Sequence, residues 1–346
     1  MTDDGLLLVD KPAGVTSHDV VDRIRRTLGR TGPAAGGDDG PPAGGAGPRL
    51  PGRGRRSVAR VGHAGTLDPL ATGLLLVMTG RATRLAPFLV GLDKAYLALV
   101  RFGAATETLD REGSLVERAD PPEAAAVVRA AEGLRGEVEQ VPPVYSAIKR
   151  DGRALHRRAR AGEDVAPPPA RRVVVARLDV RPTTWGAAAP AEAGADPLTA
   201  PDGLVYEAEL DVRCSSGTYV RSIARDLALL AGTVGHLREL RRLAVGPFTL
   251  AGALGGEALD DAGALRSVRL PLADALPHLA ARQVPAEVAA RIRQGAQPEP
   301  DWLELPPAAG TLCRLHGPDG ELVAVCRREA PDTPWRTAAV FPETTL

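Results

Sequence analysis

The N-terminal segment contains both hydrophobic patterns that recur along the chain. Residues 6–9 are a continuous apolar run, which predicts a short buried strand. Thr16 and Asp19 stand at the spacing of a capping box, which predicts the start of a helix. The apolar residues of that helix recur at helical spacing and are Val20, Val21, Ile24 and Leu28. We therefore expect the helix to bury one apolar stripe.

Alternating residues in 204–214 predict a second strand, which leads into a second helix. The apolar face of this strand comprises Leu204, Tyr206, Ala208, Leu210, Val212 and Cys214. The opposite, polar face comprises Glu207, Glu209, Asp211 and Arg213. A Ser-Ser-Gly turn then leads into a helix that begins near Thr218, has Arg221 in its first turn and uses Gly232 as C-cap. The apolar face of this helix is predicted to be Ile223, Leu227 and Leu230.

The remaining patterns predict more strands than helices. The further predicted strands are 95–103 and 172–181, and the further predicted helices are 123–134 and 257–280. Residues 311–326 are predicted to form two strands joined by a turn at 317–320. Because the strands do not alternate regularly with helices, we expect an α+β fold with a mixed sheet.

Composition indicates a globular protein with two insertions. The 346 residues are 44% hydrophobic and 25% charged, which allows one large domain and a small one. Residues 30–54 and 182–203 are of low complexity and rich in Gly, Ala and Pro, so we expect them to be loop-like or disordered. The N-terminus is acidic and no apolar run approaches the roughly 20 residues of a membrane span. We therefore expect a cytoplasmic protein without a signal peptide.

Charge alone does not indicate a nucleic-acid-binding protein. The chain has 43 basic and 43 acidic residues, whereas a nucleic-acid-binding domain is expected to be basic. Arginines cluster at 53–60, 150–160, 171–172 and 238–242, but solvated helix faces explain such clusters equally well. The cysteines, Cys214, Cys313 and Cys326, form no CxxC pair. We expect them to be buried thiols in a reducing compartment, with no disulfide framework or zinc site.

The most informative segment is the loop VGHAGTLDPLATG at residues 61–73. Its one carboxylate, Asp68, lies between Gly65 and Gly73 and is followed at once by Pro69. Glycine permits positive φ angles and close backbone approach, and proline fixes the chain just after the acid. Taken alone, the loop is most simply explained as a turn in which the Asp side chain bonds its own backbone.

The loop matches the pattern GHxGTLDPxATG at 62–73, and four further segments match the same family in order. They are GLLLVDKPAGVTSHDVV (5–21), LDKAYLALVRFGAATETLDREG (92–113), QVPPVYSAIKRDGRALHRRARAG (140–162) and CSSGTYVRSIARDLALLAGTVGHLRELRRLAVGPF (214–248). Together they resemble the TruB family of RNA-uridine isomerases, the bacterial tRNA pseudouridine-55 synthases, over nearly all of 5–250. Ala64 and Ala95 depart from the residues usual in the family, and neither is needed by the chemistry.

The resemblance implies the pseudouridine-synthase fold. That core is a curved, mixed and mainly antiparallel sheet with flanking helices and a cleft across its middle. It implies a catalytic domain at 1–268, with a flexible thumb at about 145–165 that closes over the T arm of tRNA. Residues 282–346 resemble more loosely a β-rich, PUA-like RNA-binding domain, and a generic β-barrel cap remains an alternative.

The resemblance also implies the reaction, in which a uridine in the T-arm loop of tRNA, at position 55, becomes pseudouridine. The N1–C1′ glycosidic bond breaks, the base rotates, and it is rejoined through C5. Asp68 is implied to act either by covalent addition or by abstraction of a sugar proton. The reaction needs no metal, cofactor or redox step.

Further site residues are also implied by the resemblance. Arg221 pairs with Asp68 and keeps it ionised, because a nearby cation offsets the penalty of burial. Tyr96 packs on the target base and contributes to catalysis. The residues expected to bind substrate around them are His63, Tyr219, Leu240, Lys11 in the Asp-Lys-Pro turn, and Lys149 in the thumb. Lys11 is expected to support the floor of the pocket.

The expected partner is tRNA, with no membrane and no obligate protein partner, and the expected state is a monomer. Three alternatives remain open. The first is a guide-RNA-dependent relative that works inside a ribonucleoprotein, and the second is a tRNA-folding chaperone without catalysis. The third, a glycosidic-bond hydrolase with an aspartate nucleophile, ranks last because no second carboxylate in a matching motif is visible.

Overall fold

The computed structural model describes residues 3–30, 60–146, 148–150, 152–183, 205–299, 311–330 and 333–343. The insertions predicted at 30–54 and 182–203 lie outside the described residues, except at their edges. Arg30 ends the first helix, and Pro182 and Thr183 continue a strand beyond the predicted bound of 172–181.

The strands of the large sheet and its hairpins come first along the chain. They are β1 (Gly5–Lys11), β2 (Val61–Ala64), β3 (Thr72–Thr79), β4 (Lys94–Phe102), β5 (Ala104–Thr106), β6 (Leu115–Arg118), β7 (Gly136–Gln140), β8 (Lys149–Arg150), β9 (Arg153–Ala154), β10 (Arg171–Thr183), β11 (Glu207–Cys214), β12 (Gly235–Val245), β13 (Phe248–Thr249) and β14 (Leu254–Gly255). The C-terminal strands are β15 (Ala280–Gln283), β16 (Leu312–His316), β17 (Leu322–Arg327) and β18 (Arg336–Val340). The α-helices are α1 (Ser17–Arg30), α2 (Ala86–Val90), α3 (Ala124–Glu132), α4 (Leu155–Arg160), α5 (Val220–Leu230), α6 (Ala262–Ser267) and α7 (Ala286–Arg293).

A ten-stranded sheet forms the body of the molecule, in the order β14-β1-β3-β12-β4-β11-β10-β7, with β2 paired to β3 and β13 to β12. The β1–β14 and β3–β12 pairs are parallel, and the other pairs of this sheet are antiparallel. The predicted α+β class with a mixed, mainly antiparallel sheet is therefore confirmed.

The first strand and helix form as predicted. The Thr16 amide donates to Asp19 Oδ2 at 2.8 Å, and the Asp19 amide donates to Thr16 Oγ1 at 3.1 Å, which completes the capping box. The predicted stripe of Val20, Val21, Ile24 and Leu28 is buried. This helix covers one face of β1 and β3, where it packs against Leu7 and Leu75.

The strand predicted at 204–214 begins later than expected. Strand β11 starts at Glu207, Leu204 lies outside the described residues, and the predicted alternation holds up to Cys214. Glu207 was expected on the polar face, but it is 8% exposed because Arg101 and Arg238 both donate to its carboxylate.

Helix α5 follows this strand and has Arg221 in its first turn, as predicted. Gly232 adopts the positive φ of +82° expected just after the end of the helix. Leu230 was expected on the buried face, and that expectation is wrong, because 58% of Leu230 is exposed. Ala224 and Ala228 complete the buried face with Ile223 and Leu227 instead, so the helix lies close to the sheet.

The continuous helix predicted at 257–280 is wrong. A 3₁₀ turn (Gly256–Asp260), the short helix α6 and a second 3₁₀ turn (Leu272–Asp274) occupy this segment. Helix α6 ends at Ser267, and Pro271 lies directly before the second 3₁₀ turn. Leu270 instead exchanges two backbone hydrogen bonds with Leu6, of 2.8 and 2.9 Å.

A separate four-stranded sheet forms near the C-terminus, in the order β15-β16-β17-β18. The two strands and the turn at 317–320 predicted within 311–326 are confirmed, with β16 and β17 antiparallel. Leu322 and Phe341 of this segment pack in one apolar cluster with Leu74 and Leu76 of β3. The small sheet is therefore seated on the large one.

The sequence also predicts buried cysteines and no apolar run long enough to span a membrane. All three cysteines are buried free thiols, as predicted. Of the helices in the described ranges, none is both long enough and apolar enough to cross a membrane.

Gly73 lies near the start of β3, where this strand is closely packed against β12. Its φ is +101°, and a Cβ placed on it would lie 2.2 Å from the Arg242 carbonyl oxygen. We predict that Gly73→Ala lowers the free energy of unfolding by roughly 3 kcal/mol or more, since steric conflict adds to backbone strain. Urea unfolding measures this loss.

The matched control is Gly232→Ala. Gly232 has a φ of +82°, but a Cβ there would meet no atom within 4 Å. This variant should lose only the conformational penalty, about 1–2 kcal/mol. Equal losses in the two variants would contradict the close approach of β3 and β12.

Candidate active site

The loop that carries Asp68 joins the antiparallel strands β2 and β3 and is anchored at both ends. Gly65 and Gly73 adopt φ angles of +92° and +101°, which turn the chain out of one strand and into the next. Ser17 Oγ accepts from the Leu67 amide at 2.8 Å and donates to the Leu67 carbonyl at 3.1 Å. The first residue of α1 therefore fixes the backbone immediately before Asp68.

Asp68 is held by a two-pronged ion pair. Arg221 Nε donates to Asp68 Oδ2 at 2.9 Å, and Arg221 Nη2 donates to Oδ1 at 3.1 Å. The side chain of Arg221 is 5% exposed and that of Asp68 is 31% exposed, so the cation is buried and the carboxylate reaches the surface. Among the described residues the carboxylate bonds Arg221 rather than its own loop, so the simpler turn interpretation is wrong.

The remaining donors of Arg221 are also engaged. Its Nη1 donates to the Thr108 carbonyl at 2.8 Å, and its Nη2 donates to the Tyr145 carbonyl at 2.9 Å. A second carboxylate, Asp110, lies 3.5 Å from Nη1 and is 4% exposed. A fork held on several sides cannot swing, so the orientation offered to Asp68 is fixed.

Asp110 is a site residue that sequence reasoning missed. Thr108 Oγ1 donates to its Oδ1 at 2.6 Å, and the Glu112 amide donates to the same oxygen at 3.0 Å. The one indication of this role in the sequence is the position of Asp110 in the matching segment 92–113. Nothing in the residue spacing indicated that it lies beside Arg221.

The start of α5 is fixed by a buried glutamine at the end of β7. Gln140 Nε2 donates to the Tyr219 carbonyl at 3.1 Å, and the Tyr219 amide donates to Gln140 Oε1 at 2.8 Å. Ser222 Oγ also donates to the Val141 carbonyl at 2.9 Å. Arg221 lies between these attachments, so its backbone is held as firmly as its side chain.

Aromatic and apolar residues surround the ion pair. Tyr96 and Leu240 are each 7% exposed and belong to one cluster with Leu67 from the loop. Burial raises the pKa of Tyr96, which keeps its phenol protonated near neutral pH. Tyr219, two residues before Arg221, stacks against Arg171, whose guanidinium carbon lies 4.7 Å from the ring centroid.

Lys11 binds backbone carbonyls of the loop and of the segment that follows β1. Its Nζ donates to the carbonyls of Pro12, Val15 and Pro69 at 2.9, 2.7 and 3.2 Å, and the residue is fully buried. Burial lowers the pKa of Lys11 to about 8, although the charge of Asp68 opposes this. Lys11 thus joins the segment after β1 to the loop at Pro69.

His63 and Lys149 lie in strands outside the loop. His63 is partly buried in β2 opposite Val77, and burial lowers its pKa. Within the described ranges, its Nδ1 is buried without a hydrogen-bond partner. Lys149 lies in β8, which pairs with β9 in the predicted thumb. Of the predicted residues, Arg221 and Lys11 thus bond the loop of Asp68, Tyr96 and Leu240 share an apolar cluster with it, and Tyr219 lies at the start of α5.

A cleft of about 590 Å³ lies beside the loop and opens on the sheet. Leu70, Thr72 and Leu240 line it on the side of the ion pair. Arg111, Arg181 and Arg241 line it elsewhere, together with the exposed strand residue Leu97. Glu209 and Glu239 also line it, so apolar, basic and acidic side chains all face the cleft.

The fold is that of known pseudouridine synthases. The chain is similar to the crystal structure of a Cbf5-Nop10-Gar1 complex, with a TM-score of 0.63, 22% identity, and coverage of 99% of this chain and 84% of that one. It is also similar to the structure of an H/ACA RNP bound to a substrate RNA containing 2′-deoxyuridine, with a TM-score of 0.64, 21% identity, and coverage of 99% and 86%. At this level of identity the likeness defines the class of fold.

Sequence comparison identifies the family within this class of fold. The model of the TruB family pseudouridylate synthase N-terminal domain matches residues 53–220, and that of the tRNA pseudouridylate synthase B C-terminal domain matches 221–276. A tRNA pseudouridine synthase B of Thermobifida fusca is 39% identical over 94% of this chain and 95% of its own. A tRNA pseudouridine synthase B of Rhodococcus jostii is 41% identical over 93% of this chain and 89% of its own. The chain belongs to the TruB family and is a tRNA pseudouridine synthase.

The geometry of Arg221 predicts the effect of its replacement by lysine. We expect Arg221→Lys to lower single-turnover activity on the order of 100-fold, because an ammonium cannot donate along two parallel bonds and Asp68 loses its orientation. The measurement is pseudouridine formation with enzyme in excess over tRNA.

Arg225→Lys provides the matched control on the same helix. Arg225 also pairs with a carboxylate, that of Asp226, and donates to the Val141 carbonyl. This variant should keep its activity within about twofold, the range of an ordinary partly exposed ion pair. Similar losses in both variants would show that α5 responds to any lost arginine, and would contradict a specific role for the fork.

Proposed function

We propose that the protein converts uridine 55 in the T-arm loop of tRNA to pseudouridine, with Asp68 as the reacting carboxylate. The observation that carries this proposal is the two-pronged hydrogen bond from buried Arg221 to the partly exposed Asp68. It presents an oriented carboxylate at the surface of the loop. An ionised group is what both routes of glycosidic-bond cleavage require.

The reaction requires the carboxylate to meet the nucleotide from one side. Asp68 either adds covalently or removes a sugar proton as the N1–C1′ bond breaks, and the base then rotates. A new bond from C5 to C1′ follows, and the hydrogen on C5 is lost as a proton. The reaction is an isomerisation of the uridine, with protons exchanged with water. The protein therefore has to supply only acid–base groups and orientation.

The residues around Asp68 are proposed to hold the uracil while it turns. Tyr96 packs on the base, and Leu240 and Tyr219 complete the pocket. Lys11 supports its floor through the Pro69 carbonyl. His63, whose buried Nδ1 has no partner in the described ranges, is proposed to hold the extruded nucleotide. The target base must leave the stack of the folded tRNA, which such contacts offset.

The rest of the tRNA is proposed to be bound by flexible and peripheral elements. The thumb at about 145–165, with Lys149, closes over the T arm, and recognition depends mostly on shape. Residues 282–346 act as a PUA-like RNA-binding domain after the catalytic domain at 1–268. We propose that the enzyme acts as a monomer in the cytoplasm, with no obligate protein partner.

The decisive test is tritium release from a tRNA transcript labelled at C5 of uridine, with wild type beside Asp68→Asn. We expect stoichiometric release by wild type, because C5 loses its hydrogen only if it becomes the new attachment atom. Asp68→Asn should release none, because a neutral amide can neither add nor accept the proton.

Asp260→Asn is the matched control, because Asp260 is also held by an arginine fork, with bonds of 2.8 and 2.6 Å from Arg23. It lies on the surface and should release tritium at the wild-type rate. A filter-binding assay checks that tRNA binding is kept by each variant. If the wild type binds tRNA without release, the chaperone alternative replaces the proposal.

Tyr96 is tested by a pair of substitutions that separate its ring from its hydroxyl. Tyr96→Phe should keep turnover within about tenfold of wild type, because the buried phenol stays protonated and only its polar contact is lost. Tyr96→Leu should lose at least about tenfold more, since the flat ring that packs on the base is gone. Single-turnover rates give both values.

The opposite order of the two rates would refute this role. A collapse in Tyr96→Phe equal to that in Tyr96→Leu would assign the work to the hydroxyl as a proton carrier. Thermal melts of both variants ensure that the comparison is made between folded proteins.

A further inference from the structure

Arg242 is a buried cation that the proposed reaction does not use. At 1% exposed it is the largest fully buried side chain among the described residues. No described carboxylate pairs with it, and burial lowers its pKa. A charge removed from water in this way is unfavourable unless its donors are satisfied by well-placed acceptors. The positions of those acceptors therefore indicate what the arginine does.

The acceptors lie on both arms of the loop that carries Asp68. Arg242 Nη2 donates to the Gly65 carbonyl at 3.0 Å, and its Nη1 approaches the Thr66 carbonyl at 3.4 Å, before Asp68 in the chain. Its Nε donates to the Leu74 carbonyl at 2.7 Å, after Asp68. One rigid guanidinium thus joins the start of the loop, just after β2, to strand β3.

The backbone of the same residue also contacts the loop. Arg242 pairs with Gly73 where the parallel strands β12 and β3 meet. The approach is so close that a Cβ on Gly73 would lie 2.7 Å from the Arg242 amide nitrogen. Side chain and main chain therefore act on the loop from the same point of β12.

The other neighbour of Arg242 is Tyr96. The two residues are register partners on β12 and β4, and the Tyr96 phenol interacts with the guanidinium. Arg242 thus contacts the loop of Asp68 on one side and the residue proposed to pack on the base on the other. It does not touch Asp68 itself.

We propose that Arg242 is a positioning residue that fixes the distance between the Asp68 carboxylate and the Tyr96 ring, and so the alignment of carboxylate and uracil. This inference rests on the proposed function. A buried guanidinium is suited to the task because it is planar and donates in fixed directions. The acceptors of Arg242 are neutral carbonyls, so Arg242 does not take part in the ion pair in which Arg221 orients Asp68.

The test compares Arg242→Lys and Arg242→Met with wild type in single-turnover tritium release, tRNA binding and thermal unfolding. We expect the rate to fall about 100-fold in Arg242→Met, because displacement of a reacting group by about 1 Å has this effect. Arg242→Lys should fall less, since it keeps the charge and one donor. The dissociation constant of tRNA should change less than about threefold in both.

Arg135→Met is the matched control. Arg135 also donates twice to a main-chain carbonyl, that of Leu178, at 3.1 and 2.9 Å, but lies away from the loop. It should keep the wild-type rate. If Arg242→Met does not fold, Arg242→Lys carries the test.

Amide hydrogen exchange of the free enzyme gives a readout independent of turnover. Arg242→Lys should lose protection in residues 65–74 and keep it in α5, because the carbonyls that it releases belong to the loop. Unchanged exchange in 65–74, a wild-type rate in folded Arg242→Lys, or a loss confined to tRNA affinity would each overturn the positioning role. Absence of release by wild type would instead refute the proposed function, and the exchange experiment would still decide the role of Arg242.

Discussion

The fork between Arg221 and Asp68 is the interaction on which the rest of the site depends. It joins the loop between β2 and β3 to the first turn of α5, over a sequence separation of 153 residues. A buried arginine is stable only if its other donors are satisfied, which requires Asp110 and the carbonyls of Thr108 and Tyr145. Segments from four parts of the chain therefore meet at one guanidinium.

The same fork explains why the surrounding backbone is so closely specified. Gln140 holds the start of α5 and Ser17 holds the loop at Leu67, so both ends of the ion pair are fixed before substrate arrives. Preorganised groups lose little freedom when they act, and misplaced ones lose rate steeply. The two-residue parallel contact of β12 with β3 serves the same end, and it demands glycine at Gly73.

Local features of the fold could be predicted from sequence, whereas features fixed by distant partners could not. The capping box of Thr16 and Asp19 involves neighbours, so its spacing was sufficient. The burial of Glu207 depends on Arg101 and Arg238, which are remote in sequence. The alternation along β11 therefore predicted the exposed face for a residue that is buried. Arg221 was found through its motif, but Asp110 and Arg242 were not, because their roles appear only once the strands are paired.

Two arginines thus divide the work of one loop according to the chemistry of their acceptors. Arg221 faces carboxylates, so it contributes charge and orients Asp68 through two hydrogen bonds. Arg242 faces carbonyls, so it contributes direction without adding a further carboxylate to Asp68 and Asp110, which Arg221 already contacts. Because one arginine holds the carboxylate and the other holds the backbone, the loop is fixed while its one carboxylate stays partly exposed.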